Sequence, residues 1–372
     1  MTRILLMMSD TGGGHRAVSR ALVEAFDAID PAIDAPIIDL FGLGKRRQLV
    51  DRIAYSYGPL IRRAPWLYGL AYAVTDRRRL FEAVSSANDG VLVRRGRWLL
   101  RRYQPDVVVS VHALVTRPML KALAAERQTA PVVVVVPDLV RFHRSWVTGG
   151  VRCYTAPTPE GAALLGRFGV SPEQIVLTGI PVGSAFARPA DPVALRLALG
   201  LDPDRLTVLI VGGGEGSGNL PALVDTIDQA GLAIQLIVVT GRNARAKAAI
   251  DALPLFTQAR VFGFATNMPD LIHASDIVVS KGGPQSIVEC LAAGKPLLIT
   301  QVLPGQEQGN EEYVERHAAG YLTRTPLQVA QALRKLVNTP EELARLTEGA
   351  RRLGQPEAAR RAAEVILHEI GR

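Results

Sequence analysis

Five consecutive valines, Val132 to Val136, stand between Pro131 and Pro137. A run this short and this uniformly β-branched favours a strand. Without polar alternation, both of its faces must be covered, which is the condition of a strand inside a parallel sheet with helices on either side. The chain repeats this pattern. Short apolar runs fall at residues 3–8, 36–40, 106–111, 132–136 and 175–177, and again at 206–211, 234–240, 260–262, 276–279 and 296–300, with helical patterns between them. Such alternation predicts an α/β fold built on doubly wound parallel sheets. At 372 residues, two domains are expected. The turn-rich stretches Gly179-Ile180-Pro181-Val182-Gly183 and Arg188-Pro189-Ala190-Asp191-Pro192 read as the linker. The expected domains are therefore 1–188 and 189–355, followed by a terminal helical segment, 356–372, with apolar Ala363, Ile366, Leu367 and Ile370.

Composition excludes several classes. A hydrophobic fraction of 48% with 21% charge describes an ordinary globular chain. The purest apolar run is too short to span a bilayer, no leader pattern is seen, and the two cysteines, Cys153 and Cys290, form no disulfide framework. A cytoplasmic location is expected. Charge is uneven: residues 1–188 carry 25 basic against 15 acidic side chains, the remainder 18 against 20. Residues 45–103 interleave cations with Tyr55, Tyr57, Trp66, Tyr68, Tyr72, Phe81 and Trp98. Trp and Tyr prefer membrane interfaces, and each nearby cation adds roughly 1 kcal/mol of attraction to an anionic leaflet. Arg62, Arg63, Trp66, Tyr68, Arg77, Arg78, Arg79 and Trp98 are the candidate membrane and acceptor contacts. Nucleic acid uses similar ingredients, but no nucleic-acid motif accompanies them. An anionic membrane surface is the expected partner, with ordinary basic helix faces as the plain alternative.

The stretch Ser280-Lys281-Gly282-Gly283-Pro284-Gln285-Ser286-Ile287-Val288-Glu289 follows an apolar run and opens a helix. Its glycines let backbone approach a ligand, Pro284 suits the first helical turn, and the helix's positive end favours a diphosphate. Glu289 sits about a turn and a half further on, where a carboxylate can accept from two ribose hydroxyls. A second glycine turn, Gly212-Gly213-Gly214-Glu215-Gly216, can cradle phosphate through its amides. Gly12-Gly13-Gly14-His15 lies between the first strand and a helix expected over residues 17–28. The helix's positive end should hold the His15 imidazole neutral and ready to accept a proton. Gln306-Glu307-Gln308-Gly309-Asn310 is a dense polar loop that a bound hexose would satisfy. Asp202-Pro203-Asp204 reads as a solvated turn, and no cluster has metal-ligand spacing. Gly12-x-Gly14-x-x-Ala17 with Asp39 fits a loose dinucleotide fingerprint, a dehydrogenase reading that leaves residues 280–289 unexplained.

Taken in order, these segments resemble a known family. Ser9-Asp10-Thr11-Gly12-Gly13-Gly14-His15, Pro137-Asp138-Leu139 with His143 and Trp146, Gly212 to Gly216, Gly263-Phe264-Ala265-Thr266-Asn267-Met268, Ser280 to Glu289, and Pro304 to Asn310 are similar to the monogalactosyldiacylglycerol synthase and processive diacylglycerol glucosyltransferase family. That family is related to the peptidoglycan-precursor N-acetylglucosaminyl transferases. The resemblance spans nearly the whole chain. It implies a GT-B fold, two Rossmann-like domains facing across a cleft, with the last helix crossing back to the first domain. It also implies a UDP-sugar donor in the second domain and a lipid acceptor at the first. Phe264 would lie against uracil. Gly14, the turn containing Gly213, Gly214 and Glu215, and Gly283, Pro284, Gln285 and Ser286 would hold the donor. Glu289 would take the ribose, and Gln306, Glu307 and Asn310 would face the sugar. His15 is the implied base, with Asp138 orienting a catalytic group and His143 as the alternative base. Pro137-Asp138 replaces the family's common Thr-Asp, and Lys281-Gly282-Gly283-Pro284-Gln285-Ser286 replaces its usual diphosphate segment.

The resulting expectation is an inverting, metal-independent transferase. It would move a hexose from a UDP-sugar, as substrate rather than cofactor, to diacylglycerol at the inner face of the cell membrane. The alternatives are a GT-B transferase with another lipid or a soluble acceptor, a UDP-sugar epimerase, and the dehydrogenase.

Overall fold

In a computed structural model the chain is described over residues 1–9, 13–43, 78–214, 216, 218–303 and 305–372, with backbone alone for 78–89. Two compact units result. One comprises Met1–Ser184, Leu303–Gln308 and Glu357–Arg372; the other comprises Ala185–Val302 and Gly309–Pro356.

The first unit holds six parallel strands: β1 (Ile4–Met8), β2 (Ile37–Asp39), β3 (Val107–Ser110), β4 (Val132–Val135), β5 (Cys153–Ala156) and β6 (Ile175–Leu177). Their order is β2-β1-β3-β4-β5-β6. All four residues of β4 are buried, as a valine run with no polar face requires. Strand β5 reads poorly from sequence because Cys-Tyr-Thr-Ala is only moderately apolar, yet it is wholly buried between β4 and β6. The helix after β1 begins at Gly13, so Gly13 and Gly14 are helical rather than part of a turn. Helix Ala358–His368 belongs to this unit, where Arg361 donates to the Thr178 carbonyl at 2.9 Å and Arg372 to Asp30 at 2.9 Å. Cys153 is a buried free thiol.

The second unit repeats the plan with β7 (Leu206–Val211), β8 (Ile234–Val239), β9 (Ala259–Phe262), β10 (Ile277–Ser280), β11 (Leu297–Ile299) and β12 (Gly320–Leu322). The order is β12-β11-β10-β7-β8-β9, again all parallel. Ile210, Val238, Val279 and Leu298 from the sheet pack against Leu223, Ile227 and Leu333 from helices in one core. Strand β12 is absent from the apolar runs read in the sequence, which stop at 296–300. A side chain at Gly320 would meet the Leu297 carbonyl oxygen at 2.0 Å, so this glycine permits strand pairing.

In both sheets the order reverses beside the first strand of the unit. Open α/β sheets bind ligands in the crevice outside the carboxyl ends of strands at such a switch point. The segments after β1 and β3, and those after β7 and β10, are therefore the places to look for chemistry.

Candidate active site

In the first unit, His15 lies in the first turn of helix Gly13–Ile29, just past the end of β1. Its ring centroid is 4.8 Å from that of His112 in a T-shaped contact, and 6.4 Å from Trp146. Burial lowers the His15 pKa to about 4, with a hydrogen bond to the Val111 backbone acting in the opposite sense. Neutrality is thus enforced chiefly by desolvation, where sequence alone pointed to the helix end. Nδ1 is buried and has no hydrogen-bond partner. The bond that raises the pKa is one the ring donates, so Nε2 carries the proton and Nδ1 the free lone pair.

Asp138, just beyond β4, is 3% exposed. Its Oδ2 accepts from Trp146 Nε1 at 2.9 Å and its Oδ1 from Gln306 Nε2 at 2.8 Å. Burial pushes its pKa up to about 6; the two hydrogen bonds oppose that shift and the Glu307 charge adds to it. Glu307 is buried, with Oε2 accepting from the Leu303 amide at 2.8 Å. Asp138 thus fixes the indole beside His15 on one oxygen and the 306–308 loop on the other. His143 caps the 3₁₀ turn Arg144–Trp146, its Nδ1 accepting from Ser145 N–H at 3.0 Å.

In the second unit, the turn after β7 has positive φ at Gly213 (71°), Gly216 (63°) and Gly218 (90°). Asn243 Nδ2 donates to the Gly216 carbonyl at 2.9 Å, and the Arg242 amide donates to Gly214 at 2.9 Å. A Cβ at Gly213 would meet Lys281 Cε at 3.3 Å, so the lysine stem lies over this turn. The paired strand β10 leads into Lys281-Gly282-Gly283, with Gly283 as cap and Pro284 opening helix Pro284–Ala292. Gln285 Nε2 donates to Glu289 Oε1 at 2.9 Å, and burial raises the Glu289 pKa to about 7 against that bond. Gln285 Oε1 is buried without a partner. Asn310 is fully buried; its Nδ2 donates to the Gly282 carbonyl at 2.8 Å and its Oδ1 has no partner. Phe264 is 58% exposed, with the Arg242 guanidinium 4.9 Å from its ring centroid.

The structure thus groups His15, Asp138 and Gln306 with Glu307 in one unit, and Gly213, Gly214, Gly283, Pro284, Gln285, Ser286, Glu289, Phe264 and Asn310 in the other. Glu215, Arg62, Arg63, Trp66, Tyr68 and Arg77 lie outside the described residues, as do the side chains of Arg78 and Arg79. Trp98 is 53% exposed, with the Arg102 guanidinium 5.6 Å from its ring. Part of the basic run is already engaged: Arg97 and Arg101 close on Glu126, and Arg95 donates to the carbonyls of Leu40 and Phe41. Asp202 accepts from the Asp204 amide at 3.0 Å in a local turn. His112 and Lys281 escaped the sequence-based site. The signal for His112 was its position at the end of the Val107–Ser110 run; the signal for Lys281 was its place inside the diphosphate motif.

Comparison with known proteins gives the family. The family profile described as monogalactosyldiacylglycerol (MGDG) synthase matches residues 15–182, and that of the glycosyltransferase family 28 C-terminal domain matches residues 207–364. Monogalactosyldiacylglycerol synthase 1 of Arabidopsis thaliana is 30% identical over 381 positions, covering 99% of this chain and 70% of the relative. Synthase 3 of the same plant is 33% identical over 369 positions, covering 95% and 78%. Among solved structures, MurG of Acinetobacter baumannii superposes with a TM-score of 0.65 at 16% identity, over 99% of this chain and all of that one. A UDP-GlcNAc 2-epimerase from Neisseria meningitidis, solved with UDP-GlcNAc, gives 0.64 at 14% identity over 99% and 100%. These distant likenesses establish the GT-B fold. The kinship at 30% identity over 99% of this chain goes further: the chain belongs to the monogalactosyldiacylglycerol synthase family and is a UDP-sugar-dependent hexosyltransferase.

Proposed function

We propose that the protein transfers a hexose from its UDP-sugar donor to the free hydroxyl of diacylglycerol at a membrane surface, inverting the anomeric carbon without a metal ion or further cofactor. The observation that carries this reading is His15, a neutral imidazole with a buried, unpartnered Nδ1. It begins the half matched by the MGDG synthase profile. In a single displacement, His15 Nδ1 takes the proton as the acceptor oxygen bonds to the anomeric carbon, and the bond to the UDP oxygen breaks. His143 serves this role less well, since its Nδ1 accepts a backbone N–H. Asp138 acts by holding Trp146 and Gln306 in place.

The second unit supplies the donor groups. Glycine-turn amides, Lys281 and the positive end of helix Pro284–Ala292 present positive potential to the departing diphosphate. This is the basis for reading the transfer as metal-independent. Within this unit Phe264 and Arg242 suit the base and Glu289 the ribose, while Asn310 works through the Gly282 carbonyl it holds; for the hexose, the first unit offers Gln306 and Glu307. Membrane attachment rests on exposed Trp98 and Arg102 and on the basic-aromatic run before them. No helix among the described residues is long and apolar enough to cross a membrane, and the proposed attachment is peripheral, at the inner face of the cell membrane.

Glu289 gives a pH signature. Its pKa of about 7 means a mixed population at neutral pH, and the ionised carboxylate is the form that accepts from both ribose hydroxyls at full strength. UDP affinity should rise with pH through 7, and binding at pH 7 should release a proton, seen as a buffer-dependent enthalpy in calorimetry. Glu289→Gln is expected to abolish the release and weaken UDP by roughly tenfold or more. An unchanged proton count would remove Glu289 from the ribose site. The activity itself is tested by a panel of UDP-hexoses with diacylglycerol in anionic vesicles and a chelator present. A lipid-linked hexose supports the reading. Conversion of the donor without acceptor would point instead to an epimerase, and transfer only to a soluble acceptor would overturn the lipid assignment.

A further inference from the structure

His112 makes the closer of the two ring contacts of His15, at 4.8 Å and an interplanar angle of 65°. Behind it stands Phe41, 5.9 Å away. The meeting follows from topology: β1 and β3 are paired, with Met7 opposite Ser110, so residues just past their carboxyl ends converge. The His112 ring is pinned from its own side. It caps helix Ala113–Glu126, with Nδ1 accepting from Leu114 N–H at 3.2 Å. That bond assigns the proton of the neutral ring to Nε2. A second proton would forfeit the cap and place a cation against the helix's positive end.

Resting on the assignment of His15 as base, we propose that His112 is a positioning residue for the transfer, a neutral wall that fixes the plane of the His15 ring and leaves His15 as the sole proton acceptor of the pair. Burial, and secondarily the charge on His15, holds His112 well below the usual imidazole range. The charged groups on the surrounding elements are Arg16 on the His15 helix, Arg117 on the His112 helix, Asp39 at the end of β2, Arg95 on helix Arg78–Tyr103, and Asp138 behind Trp146. The shift of either ring arises from burial, the Val111 bond and the pair itself. During transfer the acceptor O–H bond breaks and a bond from the proton to His15 Nδ1 forms. The resulting imidazolium stands edge-on to a ring that stays neutral, and later yields the proton to solvent.

His112→Asn tests this, because asparagine is also a good cap and keeps the Leu114 bond. The expected result is a kcat lowered about 10- to 100-fold by loss of orientation, with the donor KM essentially unchanged. The acidic limb of kcat/KM should move to higher pH as His15 loses part of its desolvation. Histidine-ring NMR titration of the unliganded full-length protein should show the same upward movement of His15. His112→Asp, which also caps but adds a negative charge, should move His15 further. A fall in kcat with His15 titrating unchanged would reduce His112 to a structural role and overturn the proposal, as would wild-type kcat. Failure of the base assignment is a separate result: His15→Ala would retain turnover whatever stands at 112.

Discussion

His15→Ala is expected to lower kcat by about 10²–10⁴-fold, the usual contribution of a positioned general base, while UDP affinity stays at the wild-type level. The two effects separate because His15 belongs to the first unit and the diphosphate turns to the second. Removing the ring leaves the acceptor hydroxyl to lose its proton to water, with nothing to receive charge as the new bond forms. The substitution should be tolerated by the fold, since the ring gives up one bond, to the Val111 backbone, and alanine is a strong helix former. Steady-state rates together with calorimetric UDP binding check both halves. Near-normal turnover would shift the base elsewhere, with His143 the first candidate. Loss of UDP affinity instead would mean His15 serves the donor.

The second large effect is expected at Gly216. An added Cβ there would lie 2.0 Å from the Thr240 carbonyl oxygen and 2.5 Å from Asn243 Cβ, on a backbone with φ of +63°. Left-handed backbone costs an alanine about 1–2 kcal/mol, and overpacking typically adds about 1–3 kcal/mol. Neither clashing neighbour can swing aside, because the Thr240 oxygen is backbone and Asn243 is tied to the Gly216 carbonyl. The chain can relieve the strain only by opening the turn. Gly216→Ala should therefore melt several degrees lower and lose more than tenfold in UDP affinity. Gly214→Ala provides the comparison for stability, since a Cβ there meets nothing within 4 Å. A Gly216 variant that melts and binds UDP like the wild type would contradict the role of this turn.

Much of the architecture was legible because unalternated valine and isoleucine runs admit few other fates. The elements that escaped are instructive. Strand β5 is defined by its neighbours rather than by its own residues, and β12 begins at a glycine whose purpose, close approach to Leu297, is invisible until the strands are paired. The proposed diphosphate segment was easy to single out because its parts are contiguous, from Lys281 through Glu289. The surroundings of His15 were less so, since His112, the Asp138–Trp146 segment and Gln306 come from three separated stretches that only folding assembles. Sequence also implied the right state of His15 for an incomplete reason: the dominant cause is burial, a property of the whole unit. The fold by itself would not distinguish transferase from epimerase, as both occur among the structural neighbours; the family match does.

In the proposed single displacement, a diacylglycerol hydroxyl deprotonated by His15 attacks the anomeric carbon of the donor. The most direct test is the anomeric configuration of the glycolipid formed from an α-linked UDP-hexose and diacylglycerol vesicles with chelator present, read from the proton coupling of the purified product. The expected product is a β-linked hexosyl diacylglycerol, formed far more slowly when His15 is alanine. An α-linked product, or one formed only when a divalent metal is restored, would contradict it.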